Sequence, residues 1–349
     1  MSKGNQFSII FVLVLSFTTA SSIKENSIEE ISLTSTNNTI SAAETLPTQA
    51  PTTEPAQAIA LMPVEPGTSE RTLEDVDASI KASEKRTVTG DNILKNLYER
   101  PFTQETMDYQ PDLNILTVSI AYDENFHYFT IVLDGVDPSS EKLNGAYGIE
   151  FDRTLTGRGD MLVWVSDIGA EWSSDNLLVY IDPEGKVGGI KPVMNETNYS
   201  GEGYSKTVEL GGDQTAWARL DPENSAAVQI AVSRALLGDP EEFLWGAWAD
   251  GGVQDPGLFD YNDHFSSSAA GSPINTDPDY PLKALYSLDN TCRLPYGFEQ
   301  SGSLPGMCFS AEPTPVFQCR ICYSYECEWV EGVFTCPSDC CDEIIYPPV

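Results

Sequence analysis

The chain has 349 residues, with 19 Lys plus Arg against 53 Asp plus Glu and a formal net charge of −34. Nucleic acid is excluded as a partner on this ground, because a phosphate-tracking surface needs clustered cations and the sequence has no basic cluster. Anionic membranes are disfavoured in the same way. An apolar fraction of 41% with 14 Phe, 15 Tyr and 6 Trp is, by contrast, ample for a sizeable folded core.

The first 22 residues have the form of a secretory signal peptide. Lys3 precedes an apolar run from Phe7 to Phe17, and small residues follow from Thr18 to Ser22. The run is about half the ~20 residues a bilayer span needs, and no later stretch is long enough, so no membrane insertion is expected. The protein is expected to be secreted and to act outside the cell or at its surface. Residues 23–90 are rich in Ser, Thr, Glu, Ala and Pro and read as a disordered, solvated linker, with a transient helical pattern from Leu73 to Ala82.

From Asp91 the pattern changes to short runs with period two: Ile115 to Tyr122, Tyr128 to Leu133, Tyr147 to Asp152, Asp160 to Ser166, Leu177 to Asp182, Tyr204 to Leu210, Ala226 to Val232 and Phe243 to Ala249. Such runs are strands, and the Asp-, Asn-, Gly- and Pro-rich segments between them are turns. Ala231 to Leu237 carries a short helical excursion. About eight strands without βα alternation predict an all-β domain over 91–290, an antiparallel β-sandwich of jelly-roll type. Trp245 and Trp248 are three apart in one run, so that at most one of them is expected in a core.

All eight cysteines fall in the tail over 291–349: Cys292, Cys308, Cys319, Cys322, Cys327, Cys336, Cys340 and Cys341. An even number in an exported chain reads as disulfides. The competing zinc reading rests on the ligand spacing of Cys319 and Cys322. Cys292 and Cys308 pair most simply as a staple of the segment leaving the sandwich; the other six form a small knot of undetermined connectivity.

The stretch Tyr147 to Asp182 (YGIEFDRTLTGRGDMLVWVSDIGAEWSSDNLLVYID) resembles the middle strands of the DOMON and family 9 carbohydrate-binding-module sandwiches. There, a strand ending in an acidic residue turns through a Gly- and Asp-rich loop into an aromatic-rich strand. The likeness covers about Tyr98 to Ser272 and implies a sandwich that binds sugar, haem or calcium without doing chemistry. YERPFT, FLWGAWAD and FDYNDHFSSSAAGSP are similar to segments of secreted bacterial proteins, which implies a bacterial origin. The close Cys336-Pro337-Ser338-Asp339-Cys340 resembles that of short Cys-rich bacterial appendages, although the Gly-Asp-Gly of their opening is missing after Cys319.

Two acidic loops are candidates for calcium. Asp152, Thr154, Thr156 and Asp160 place oxygen side chains at alternate positions around Gly157, as a curled loop around a hard cation requires. Threonines stand where Asp or Asn is usual and no bidentate Glu closes the loop, so turn chemistry alone also explains it. Asp250, Asp255, Asp260, Asn262 and Asp263 form the second cluster, against which stands a solvated loop with Asx turns. Of the tryptophans Trp164, Trp172, Trp217, Trp245 and Trp248, Trp172 lies in a polar turn (GAEWSSDN) and is the candidate for stacking on a sugar ring, whereas strand tryptophans more commonly pack a core.

Only two histidines occur, His127 and His264, and neither sits in a catalytic motif. His127 reads as a strand-edge residue and His264 as a loop residue. No Met pairs evidently with either as haem ligands. The expectation is a non-catalytic extracellular binding protein for carbohydrate, with structural calcium and an extracellular glycan or surface protein as partner. An extracellular structural or adhesion component is the alternative, and a polysaccharide hydrolase a third.

Overall fold

The computed structural model describes residues 61–189 and 202–299, Leu304, Met307, Cys308 and short strand segments between 320 and 345. All lie in the unit running from Gln57 to Val349, the second of two compact units of the chain. The signal peptide, the linker up to residue 60 and the N-linked glycosylation motifs at Asn195 and Asn198 lie outside the described residues. So do the side chains of the six cysteines from Cys319 to Cys341.

Seventeen strands are described, in chain order β1 (Arg71–Glu74), β2 (Glu99–Arg100), β3 (Ile115–Tyr122), β4 (Phe126–Leu133), β5 (Ala146–Asp152), β6 (Met161–Val165), β7 (Leu177–Ile181), β8 (Lys206–Thr207), β9 (Ala216–Asp221), β10 (Asn224–Ser233), β11 (Phe243–Asp250), β12 (Leu288–Asn290), β13 (Leu294–Tyr296), β14 (Arg320–Tyr323), β15 (Glu328–Val330), β16 (Val333–Thr335) and β17 (Cys340–Ile345). The fold is the expected antiparallel β-sandwich. A five-stranded sheet has the order β1-β3-β4-β10-β9. An eight-stranded sheet runs β2-β12-β11-β5-β6-β7-β8, with β13 on the other half of β11. In the tail, β14 pairs with β17 and β15 with β16.

The period of two determines which side chains meet between the sheets. Odd-numbered residues of the larger sheet, including Tyr147, Ile149, Phe151, Val163, Phe243 and Trp245, pack on Val118, Ile120, Phe129, Ile131, Val228 and Ile230 of the smaller one. In β5, β6 and β11 the even-numbered residues are buried as well, because a layer of loops covers this part of the outer face, whereas Leu178 on β7 is exposed. Leu162, Trp164 and Trp248 pack there on Tyr98, Phe259, Tyr261, Leu285 and Leu288. Every residue of β5, β6 and β11 is consequently buried. Trp245 and Trp248 do face opposite sides, but both sides are core, and the expectation of one exposed ring is corrected.

Two boundaries differ from expectation. The domain starts inside the stretch assigned to the linker, since β1 pairs with β3 over Arg71 to Glu74 and a 3₁₀ helix follows over Ala78–Glu84. Further upstream, Leu61 donates its N–H to the Gly212 carbonyl and accepts from the Trp217 indole. A composition average misses this because the segment pairs by backbone and buries few side chains. At the other end, β13 belongs to the larger sheet although it lies in the Cys-rich tail, and Cys292 and Cys308 form a disulfide. The helical excursion contracts to a single turn, Arg234–Leu237, capped by the Ser233 hydroxyl.

His127 is not at an edge: β4 lies between β3 and β10, and the imidazole is fully buried. Its ring meets Phe243 and Tyr296 edge-on, with centroids 5.3 and 4.6 Å away, and neither nitrogen has a hydrogen-bond partner. Burial, with help from the Arg234 charge, pushes its pKa down to about 4. Unfolded His127 takes up a proton near pH 6.5 while the folded ring does not, so this contribution to stability is present above 6.5 and is lost as pH falls towards 4. His127→Phe is expected to remove on the order of 3 kcal/mol of that pH dependence, measured as the difference between variant and wild-type denaturant midpoints across pH 4 to 7.

Candidate functional site

Three acids that the sequence leaves far apart converge at one edge of the sandwich. Asp75 follows the edge strand β1, Glu99 lies on β2, the edge strand of the other sheet, and Asp289 is its register partner on β12. One carboxylate oxygen from each lies within 4.8 Å of the other two. Backbone bonds place them: Asp75 donates its N–H to the Leu116 carbonyl, and Asp289 Oδ2 accepts from Ile115 N–H at 2.7 Å, across from the first sheet. Glu99 packs directly on Gly90, whose φ of +103° and lack of a Cβ make room, since a Cβ there would stand 2.7 Å from Glu99 Cγ.

The cluster is electrostatically incomplete. Asp289 is fully buried and Glu99 nearly so, and Asp75 Oδ2, Glu99 Oε2 and Asp289 Oδ1 have no hydrogen-bond partner. Burial raises the Asp75 pKa to about 7. It raises Glu99 and Asp289 well above the carboxylate range, with the Asp289 charge adding to the effect on Glu99 and the Asp75 charge to that on Asp289. Arg100, next to Glu99 in β2, directs its guanidinium elsewhere, to Asp91 at 2.7 and 3.0 Å and to the carbonyls of Ala270, Leu285 and Gly271. Like charges this close and this dry are stable only when protonated or joined by a cation. An all-oxygen donor set is suited to a hard divalent ion. Among the described residues, this is the one convergent set of three such ligands.

The residues singled out in the sequence take other positions. Asp152 accepts from the Thr154 hydroxyl (3.2 Å) and from the N–H groups of Thr156 (3.1 Å) and Gly157 (2.6 Å). Asp160 holds Arg153 through the backbone and the guanidinium, at 2.8 and 2.6 Å. Asp250 accepts three N–H groups, from Gly252, Val253 and Gln254, and the Tyr261 hydroxyl. Asp255 caps a 3₁₀ turn over Pro256–Leu258 through Gly257 N–H. Asn262 donates to the Gly189 carbonyl, and Asp263 is buried beside Gly188. Asp152, Asp250 and Asp255 are thus satisfied by N–H donors of their own loops, as in Asx turns. Trp172 packs on Tyr128 and carries the Arg219 guanidinium 4.4 Å from its ring centroid.

Asp260 belongs to a second buried network on the outer face of the larger sheet. It accepts from Asn96 Nδ2 at 2.6 Å and faces Arg293 Nη2 at 3.9 Å. Arg293 also donates to Glu150 at 2.8 Å and to the Gly157 carbonyl at 2.8 Å, while the Tyr204 hydroxyl donates to Glu150 at 3.2 Å. Burial and the neighbouring Glu150 raise the Asp260 pKa. The Cys292–Cys308 disulfide fixes the backbone of Arg293, which accepts from Cys308 N–H at 2.8 Å. The cavity beside this network has about 20 Å³, room for water and not for a substrate. Neither this network nor the Asp75 cluster could be found from spacing, because each member is an ordinary acidic residue in its own segment.

Arg293→Met leaves two buried carboxylates without their cation, and is expected to cost ~3–5 kcal/mol in guanidinium unfolding. A cost below ~1 kcal/mol would show that the network does not depend on the ion pair. No helix among the described residues is long and apolar enough to cross a membrane. No family model, curated protein or solved structure matches the chain.

Proposed function

We propose that this chain is a non-catalytic extracellular binding module, a β-sandwich whose two sheets are joined at one edge by calcium held between Asp75, Glu99 and Asp289. The observation that carries the reading is the convergence of Asp75, Glu99 and Asp289, each of which brings a carboxylate oxygen within 4.8 Å of the others and each of which holds a buried oxygen without a hydrogen-bond partner. Calcium suits them better than magnesium: it accepts irregular sets of six to eight oxygens, whereas magnesium demands near-octahedral geometry and releases its waters reluctantly. The ligands come from β12, β2 and the end of β1, so the ion acts as a structural tie. The leader-like N-terminus, the Cys292–Cys308 disulfide and the strongly acidic composition support an exported protein. The likeness to DOMON and carbohydrate-binding sandwiches of bacterial proteins supports binding of an extracellular glycan over catalysis.

The test is the thermal midpoint of the mature protein in EGTA, in millimolar Ca²⁺ and in millimolar Mg²⁺, for wild type and Asp289→Asn. At a calcium concentration ~100 times Kd the gain is ~2.7 kcal/mol, a rise on the order of 5 °C or more for a domain this large. Magnesium should do markedly less, and Asp289→Asn should remove the calcium response. A wild-type midpoint that is the same in all three solutions overturns the proposal.

A further inference from the structure

The outer face of the smaller sheet carries a groove of about 590 Å³, within the range of ligand sites, roughly 300–1,000 Å³. Register builds its floor. Ser119 on β3 stands opposite Thr130 on β4, Thr130 opposite Gln229 on β10, and Gln229 opposite Arg219 on β9. The result is a straight row of polar side chains across four strands, roughly 14 Å long at the usual strand spacing. The next row, Ala121, Tyr128, Ala231 and Trp217, is largely apolar and packs with Leu61. The half-buried Ser119 and Thr130 and the buried Gln229 line the groove between two walls, the segment 65–69 on one side and the turn of Asp221, Pro222 and Glu223 on the other, with Arg219 buried at the end of the row.

The row is held rigid from below and from the side. Arg219 is buried, donates to the Gln229 side-chain oxygen at 2.8 Å, and grips both oxygens of Glu65 at 2.8 and 2.6 Å. Its guanidinium lies over Trp172. Gln229 in turn donates its amide to Asp221 at 3.1 Å, which fixes the amide orientation. Donors and acceptors are thus oriented before any ligand arrives, which lowers the ordering cost of binding.

The chemistry of the groove selects its ligand. An anion finds no available cation, because Glu65 already neutralises Arg219, and it meets the carboxylates of Asp221 and Glu223 on a chain of net charge −34. An apolar peptide or lipid finds only Ala121 as apolar floor. A neutral, hydroxyl-rich chain can match the Ser119 and Thr130 hydroxyls, the Gln229 amide and the carboxylate rim together. We propose that this groove is the binding site of a neutral oligosaccharide. The assignment deepens the reading of the chain as an extracellular binding module and rests on it.

The test is titration calorimetry of the mature chain, with and without calcium, against neutral hexasaccharides of β-1,4-glucose, β-1,3-glucose, xylose and mannose, and against a tetralysine peptide. At least one hexasaccharide should bind. Thr130→Tyr, which fills the groove at a half-buried position, should weaken it by about tenfold or more with an unchanged thermal midpoint, and Gln229→Ala should weaken it as well. Failure of every hexasaccharide to bind, equal affinity in Thr130→Tyr, or binding of tetralysine alone would each overturn the assignment. Glycan binding by a protein that shows no calcium response would retain the groove and remove the calcium site; a calcium response without glycan binding would do the reverse.

Discussion

Burial of both faces of the central strands β11, β5 and β6 of the larger sheet is the constraint from which most of the architecture follows. A strand buried on one face can place polar side chains at alternate positions in water. In β5, β6 and β11 that outlet is closed, and the even positions must be apolar, glycine or internally satisfied. Leu162, Trp164 and Trp248 take the first course. Gly148 takes the second, since a Cβ there would stand 2.4 Å from the Trp164 ring. Glu150, Asp152 and Asp250 take the third, and the loops above them are shaped by the donors they must deliver. The tight turns over 152–160 and 250–255 are therefore parts of the core as much as connections between strands.

The same constraint explains where negative charge ends up. Among the described residues, most acidic side chains are exposed or half-exposed, where mutual repulsion is screened. Inside, Glu150 and Asp260 share Arg293, and Asp91 takes Arg100. Asp75, Glu99 and Asp289 have neither an arginine nor a full set of N–H donors. This unequal treatment within one domain is what sets the cluster apart from an acidic chain's ordinary turns.

The fold was largely legible from period two. Ile115 to Tyr122 is a strand over those same residues, and most of the other longer runs differ by one or two at their ends; Tyr204 to Leu210 is the exception, where only Lys206–Thr207 forms a strand, at the sheet's edge. The short strands were not legible. Arg71–Glu74, Leu288–Asn290 and Leu294–Tyr296 have three or four residues, too few for a period, and exist because a neighbour offers a ladder. The tryptophan pair in β11 departs from the expectation of one exposed ring because burial there is two-sided, and no property of FLWGAWAD itself reveals a loop layer above it. Of the candidate site little could be read. Acidic loops are locally visible, but the residues that converge are isolated in unremarkable segments such as TLED, YERP and SLDN. Trp172 lies in a connection between strands, as its polar surroundings predict, yet its partner Arg219 lies on β9, a strand the pattern does not show.

The long separation along the chain between Asp75, Glu99 and Asp289 has a kinetic consequence. Each lies at the rim of a different strand, and the three meet only when β1 has docked beside β3 and β12 has closed between β2 and β11. Contacts of such high order form late, after the loops that join them have been closed. Whatever satisfies the cluster, proton or ion, thus acts on the finished domain and hardly at all on its folding nucleus. Its influence falls on the rate at which the sandwich opens, and the domain's lifetime, rather than its speed of assembly, is the property that this edge controls.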